Sequence, residues 1–206
     1  SSLTLVPAVN KLDLPACNDL FKEIIRQNPI YTNILLVNRS GDIIASAIPS
    51  PPVNLADRKH FKDACLTRKF STGEYIISRT TFEPAFPFSY PLLDKNGQVQ
   101  AVLIAAVELK QYREHFSEKS LPQGSFFGIA DHAGRRLFRI PIPGAEFDLG
   151  KPIAPMVWDF VKTSGKDGVM LQEGSDKIRR IIGFSRLDLG PETPAYMYMF
   201  VGLPEE

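Results

Sequence analysis

Between residues 15 and 27 apolar side chains recur at three- and four-residue intervals. Cys17, Leu20, Phe21, Ile24 and Ile25 share one face, which is the mark of an amphipathic helix packing one stripe against a neighbour. Pro15 suits the first turn, where its missing N–H costs nothing. Asn28-Pro29 ends the helix, because the residue before a proline avoids the α region. The rhythm then changes. Residues 33–38 (NILLVN) form an apolar run of strand length, Arg39-Ser40-Gly41 reads as a turn, and residues 42–48 return as a second strand, so the pattern predicts a hairpin. Pro49, Pro51 and Pro52 break the sheet. A helix is expected next, capped by Asn54, with Asp57 in its first turn, an apolar stripe of Phe61, Ala64 and Cys65, and an end near Lys69. Three strands should follow, at 74–80, 86–93 and 98–109. Asp94-Lys95-Asn96-Gly97 turns between the last two.

The order then repeats. Residues 125–131 read as a strand, His132-Ala133-Gly134 as a turn and 135–140 as a strand, and Pro141 and Pro143 break it. A helix at 153–164 has Pro155 in its first turn and Gly165 at its C-cap. Strands are expected at 168–173, 177–187 and 195–203. The segment Asn38-Arg39-Ser40-Gly41-Asp42 matches Asp131-His132-Ala133-Gly134-Arg135 in role: a polar residue ends a strand, a tight turn follows, and the next strand runs into prolines and a helix. The interval is far longer than any solenoid repeat, so the pattern is a duplication of one module. Helices laid on small sheets make an α+β architecture. The organisation expected is an N-terminal helical region at 1–29, a first module at 30–112 and a second at 113–206, with a polar linker around 110–123.

Composition narrows the function. The chain has 206 residues, 44% hydrophobic and 23% charged, with a net charge of +1. That is ordinary globular material. It lacks the basic stripe a nucleic-acid partner requires. No apolar run reaches the roughly 18 residues of a membrane span; the longest, 101–107, suits a buried strand. Ser1-Ser2 opens without the basic region of a signal peptide, and the expectation is an excised fragment whose flanks lie elsewhere. The two cysteines, Cys17 and Cys65, are too few for a disulfide scaffold or a structural zinc site. They are either small buried hydrophobes or a single bridge.

Several segments, in this order, resemble the double Cache sensor domains found outside the membrane in histidine kinases, diguanylate cyclases and chemoreceptors. Residues 5–9 (LVPAV) and 16–20 (ACNDL) are similar to the end of the family's N-terminal helical region. Residues 38–47 (NRSGDIIASA) resemble its first hairpin, and 56–61 (ADRKHF) its helix start. Residues 73–79 (GEYIISR) and 89–92 (SYPL) resemble the strands that follow. Residues 131–138 and 183–187 (GFSRL) are similar to its membrane-proximal module. The resemblance covers nearly the whole chain. It implies two tandem PAS-like modules, the first membrane-distal and ligand-binding, the second membrane-proximal and often empty. It also implies flanking membrane segments that anchor an extracytoplasmic domain, pairing of two copies through the N-terminal helical region, and a cytoplasmic output. That output is first a histidine kinase of a two-component system, then a diguanylate cyclase or a chemoreceptor.

The resemblance maps Arg58, His60, Phe61, Tyr75 and Ser78 to the distal pocket. A guanidinium offers a rigid fork to a carboxylate, an aromatic supplies apolar area, and His60 can act as a pH-dependent donor. On a regular strand Tyr75 and Ser78 point to opposite faces, so a single pocket takes one of them. Amino-acid-binding members carry an aspartate where this chain has Ser78 and another where it has Ala105-Ala106-Val107, so a small carboxylate suits Arg58 better than an amino acid. No catalytic residue, cofactor or metal site is expected. His60, His115 and His132 are far apart and form no HExxH. Gly183-Phe184-Ser185-Arg186-Leu187 lacks the second glycine of a nucleophile elbow, and residues 124–128 (GSFFG) lack the lysine of a phosphate loop. The rival readings are a freestanding binding protein or enzyme, and a dimerisation spacer.

Overall fold

The computed structural model describes residues 6–109, 121–141, 149–190 and 195–205; the expected linker lies mostly outside them. The chain forms two compact units, Ser1–Gln111 and Tyr112–Glu206. The first begins with helices α1 (Pro7–Asn10) and α2 (Leu14–Gln27). Asp13 caps α2, its Oδ1 accepting from the Ala16 N–H at 3.3 Å. Strands β1 (Tyr31–Asn38) and β2 (Ile43–Ser46) make the hairpin. Helix α3 (Lys59–Thr67) follows, then β3 (Ser71–Thr72), β4 (Ile76–Ile77), β5 (Pro84–Leu93) and β6 (Val99–Glu108). The antiparallel sheet runs β2-β1-β6-β5-β3, with β4 also on β5.

The apolar run of β1 is continuous because both of its faces are covered. Ile34 and Leu36 pack with Cys17 and Phe21 of α2, whereas Leu35 and Val37 pack with Phe61 and Ala64 of α3. Burying Phe21 and Ile34 contributes roughly 1.5–3 kcal/mol each. The stripe of α2 is thus taken up by its own sheet. Cys17 belongs to one of these clusters and Cys65 packs against the other, so the two sit on opposite faces; both thiols are free. Strand β5 tolerates its prolines because Pro87 turns its backbone polar groups to the outer side, where its carbonyl accepts from Gly73. Pro91 shares that side, and β3 and β4 pair only short stretches of β5 there.

Two elements differ from the sequence pattern. Asn54 does not cap α3. Its side chain accepts from the Ala56 N–H at 2.9 Å and donates to the Ser40 carbonyl and Asp42 Oδ1, tying the loop to the first hairpin, and the helix starts four residues later behind Arg58. Asp57 therefore precedes the helix. The strand expected at 74–80 shrinks to β4. The Ser78 hydroxyl accepts from the N–H groups of Thr80 and Thr81 and the Phe82 N–H closes on the Ser78 carbonyl. Hydroxyl-bearing side chains compete with ladder formation in this way.

The second unit repeats the plan. Strands β7 (Phe126–Asp131) and β8 (Arg136–Ile140) precede helix α4 (Pro155–Thr163), and β9 (Asp167–Glu173), β10 (Arg179–Asp188) and β11 (Ala195–Pro204) complete a sheet of order β8-β7-β11-β10-β9. The duplication extends to single hydrogen bonds. Asn38 Oδ1 accepts from the N–H groups of Ser40 and Asp42; Asp131 Oδ1 accepts from those of Ala133 and Arg135. The Gly41 carbonyl takes the Leu55 N–H, and the Gly134 carbonyl takes that of Ile153.

Gly134 combines two demands. Its φ is +75°, and a Cβ there would lie 2.8 Å from the Trp158 ring. Gly97 has φ +73° with open space around it. Gly97→Ala should cost about 1 kcal/mol, for conformation alone. Gly134→Ala should cost about 3 kcal/mol, because Trp158 must also shift. Urea unfolding of the two variants checks this; equal losses would mean that the ring yields freely.

Candidate functional site

The loop at residues 54–58, the start of α3 and the turn after β4 converge on the face of the first sheet that α3 covers. They enclose a cavity of about 20 Å³, about the space of one water molecule. Asn33 and Leu35 of β1 and Ala106 of β6 form its sheet side, and Arg58, His60, Ser78, Arg79 and Thr80 close it. Among the described residues its lining holds two guanidinium groups and no carboxylate.

Arg79 locks the rim. Its two Nη atoms donate to the Asp57 carboxylate at 2.7 and 2.8 Å, and Nη1 also donates to the Asn54 carbonyl. Asp57 is consequently spoken for, and its carboxyl sits below the usual range because Arg79 bonds the ionised form. Arg58 makes no direct bond to that carboxylate, and feels Asp57 and Glu74 only as nearby charges. Its Nε is buried with no hydrogen-bond partner, and its Nη2 reaches only the Ile77 carbonyl, at 3.5 Å. Burial, and then the charge of Arg79, lowers its pKa, though a guanidinium stays protonated at neutral pH. Arg58 is a cation facing a polar hollow with little to satisfy it.

His60, in the first turn of α3, is 2% exposed. Burial, and then Arg58, pushes its pKa down to about 3. The pH-dependent donor expected there is corrected by this environment: the imidazole is neutral throughout the physiological range. Ser78 lines the cavity, but its hydroxyl also holds the turn. Phe61 does not line it; the ring is buried against Leu35, Val37 and Val102. Tyr75, half-buried ahead of β4, is not in the lining either. The structure therefore brings together Arg58, His60 and Ser78 of the five mapped residues.

The sequence reading missed Asn33, Thr80 and Arg79. Asn33 is fully buried, with Nδ2 donating to Thr80 Oγ1 at 3.1 Å and to Ser46 Oγ at 3.2 Å, and Oδ1 accepting from the Ile48 N–H at 3.2 Å. The available signal was an amide opening the apolar run of a central strand. Among the described residues no group of His, Cys, Asp and Glu could hold a metal ion, and no helix is long and apolar enough to cross a membrane.

No family model matches the chain. Sporulation kinase D of Bacillus subtilis (strain 168) is 29% identical over 99 residues, which is 48% of this chain and 20% of the kinase; the chain thus spans about a fifth of the length of that relative. The extracellular domain ascribed to histidine kinase rpHK1S-Z16 superposes with a TM-score of 0.74 at 19% identity, covering 93% of this chain and 78% of that one. The ligand-binding domain of the Pseudomonas fluorescens chemoreceptor CtaA, solved with L-isoleucine, gives 0.67 at 13% identity over 96% of this chain and 79% of that one. At such identities the likeness speaks for architecture alone: the chain has the α+β fold, with two antiparallel sheets, seen in these sensor and ligand-binding domains.

Proposed function

We propose that the chain is the extracytoplasmic sensor region of a membrane-bound receptor, and that its first unit, the membrane-distal one, binds a small carboxylate at Arg58. The observation that carries this reading is the state of that guanidinium: half-buried, with no hydrogen bond to Asp57, whose carboxylate oxygens bond Arg79, and turned to a cavity whose described lining has hydrogen-bonding groups but no carboxylate. A cationic fork so placed matches a carboxylate. A free ammonium group would find no anionic partner there, which sets this site apart from one built for amino acids. The cavity is close to one water in size, so entry of a ligand requires the turn at 78–82 to separate from the 54–58 loop. Ligand would then favour one arrangement of these segments over another, and that differential affinity is the signal.

The likeness to Sporulation kinase D supports a histidine kinase as the output, with a diguanylate cyclase or chemoreceptor as the alternatives. The sensor itself carries out no chemistry in this reading. Pairing of two copies through the N-terminal helical region would use surfaces other than Cys17 and Phe21, which are buried on the sheet.

Thermal unfolding with acetate, lactate, pyruvate and succinate tests the ligand class. At a hundredfold excess over Kd, the right carboxylate should stabilise the chain by about 2.7 kcal/mol, and Arg58→Met should remove that gain. Stabilisation by amines or neutral sugars alone would sink the reading.

A further inference from the structure

The second unit has its own cavity on the seam between sheet and helix, here against α4, with a volume of about 440 Å³. Its floor is apolar, with Phe126, Val157 and Ile182, while Arg136, Arg139 and Arg180 reach it from two strands. The placement of the arginines has a backbone cause. On a regular strand residues 136 and 139 face opposite ways. In β8, Arg136 pairs with Ala130 and Phe138 with Ile129, so the register slips by one residue at Leu137. The bulge brings Arg136 and Arg139 to the same face. Arg139 also opposes Gly128, where no side chain obstructs it, and its guanidinium carbon lies 4.4 Å from the centre of the Phe126 ring. That of Arg180 lies 5.9 Å from the same ring.

The charges do not cancel at Arg139. Arg180 is satisfied by Asp176 at 2.5 and 2.8 Å and by the Gly124 carbonyl at 2.6 Å. That pairing holds the Asp176 carboxyl down at about 2. Glu173 pairs with Lys177 at 3.4 Å. Both carboxylates of the lining are thus committed to other cations. Among the described residues Arg139 has no ionic partner, and its Nε is buried without a hydrogen bond. Burial, then Arg136 and Arg180, depresses its pKa. A desolvated and unpaired guanidinium is costly to maintain, and stacking on a ring recovers only a fraction of that cost.

We propose that this cavity is a second ligand site, taking a small monocarboxylate with an apolar body. The Arg139 fork holds the carboxylate, and Phe126, Val157 and Ile182 surround the body. The volume is that of an ordinary small-molecule pocket, and a guanidinium without an ionic partner beside an apolar floor calls for a small anion with an apolar body. The double Cache resemblance implies that this module is often empty; here it holds a cavity with Arg139 on its lining. The proposal needs nothing from Arg58, so the two sites stand or fall separately.

Amide NMR spectra of the chain titrated with benzoate, isovalerate, neutral benzamide and inorganic phosphate provide the test. Benzoate or isovalerate should shift the amides of Gly128 and Ile182 saturably, and benzamide should not. Arg139→Met should raise the Kd by about tenfold or more, Arg139→Lys should raise it less, and Arg58→Met should leave it unchanged. The proposal is overturned if neither carboxylate binds there, if benzamide matches benzoate, if phosphate alone binds, or if Arg139→Met retains wild-type affinity. Should Arg139→Met fail to fold, the benzoate–benzamide comparison and Arg139→Lys decide the matter.

Discussion

Asn33→Leu should lose about 3–5 kcal/mol of unfolding free energy, although leucine keeps the branched heavy-atom shape of asparagine. The amide joins three segments: β1 itself, the end of β2 through Ser46 and the Ile48 N–H, and the turn after β4 through Thr80. Leucine would take the Asn33 Oδ1 acceptor from the N–H groups of Ile48 and Ile34 and leave the Thr80 hydroxyl only its bond with Ser78, and each orphaned buried group costs about 1–3 kcal/mol. Thr80→Val removes one of these bonds and leaves Asn33 its Ser46 partner, so its cost should be near 1 kcal/mol. Urea denaturation of both variants measures the difference. A loss below about 1 kcal/mol for Asn33→Leu would show that these bonds are replaced by others in the mutant. A large loss would make Asn33 the link between the sheet and the turn that closes the proposed site, because Thr80 lines the same cavity.

How far the sequence foretold this structure depended on whether local chemistry or distant partners decide a segment. The β1–β2 hairpin, the Asp94–Gly97 turn and the duplicated Asn38 and Asp131 turns follow from side chains bonding to backbone two and four residues on, and all were legible. Residues 74–80 were not. A strand was expected there, but Ser78, Thr80 and Thr81 fold the chain back on itself. The start of α3 was misplaced for a related reason: Asn54 is a good cap, yet it bonds to Ser40 and Asp42, twelve or more residues away. Arg58, His60 and Ser78 were named from resemblance. Their surroundings came only with tertiary contacts, including the capture of Asp57 by Arg79. In the second unit the single-residue slip at Leu137 leaves no mark in the sequence, and it is what places Arg139 in its cavity.

The two units build different hollows on one topology. The first sheet has helices on both faces, and its cavity is pinched almost closed by the Arg79 clamp. In the second, the strand β9 alternates between exposed and half-buried residues, as an edge with one packed face does, and its cavity is larger. A tight hollow suits a small ligand whose entry must separate the loop from the turn, whereas a wider apolar one can admit its ligand with less rearrangement.

Acidification should weaken the protein through His60 in particular. The imidazole has a folded-state pKa of about 3, against about 6.5 for an unperturbed histidine. Between those values the unfolded chain binds a proton that the folded chain refuses, so stability is intact above pH 6.5 and declines as the pH falls towards 3. The slope is about 1.4 kcal/mol per pH unit, so the loss is on the order of 3 kcal/mol by pH 4.5. Burial is the main cause and Arg58 the next; Lys59 adds to the effect, while Asp63 and Asp57 oppose it. His60→Asn removes the titrating group, and the carboxylates that lose their bonds in acid, such as Asp176, are common to both proteins. The gap in stability between variant and wild type should therefore move in favour of the variant by about 2–3 kcal/mol from pH 7 to 4.5, read from urea unfolding at each pH. Parallel curves would mean that the folded imidazole protonates freely, and that the hollow beside Arg58 is open to water. A carboxylate bound at Arg58 should flatten the wild-type curve, because an anion beside the ring offsets the cation that now opposes its protonation.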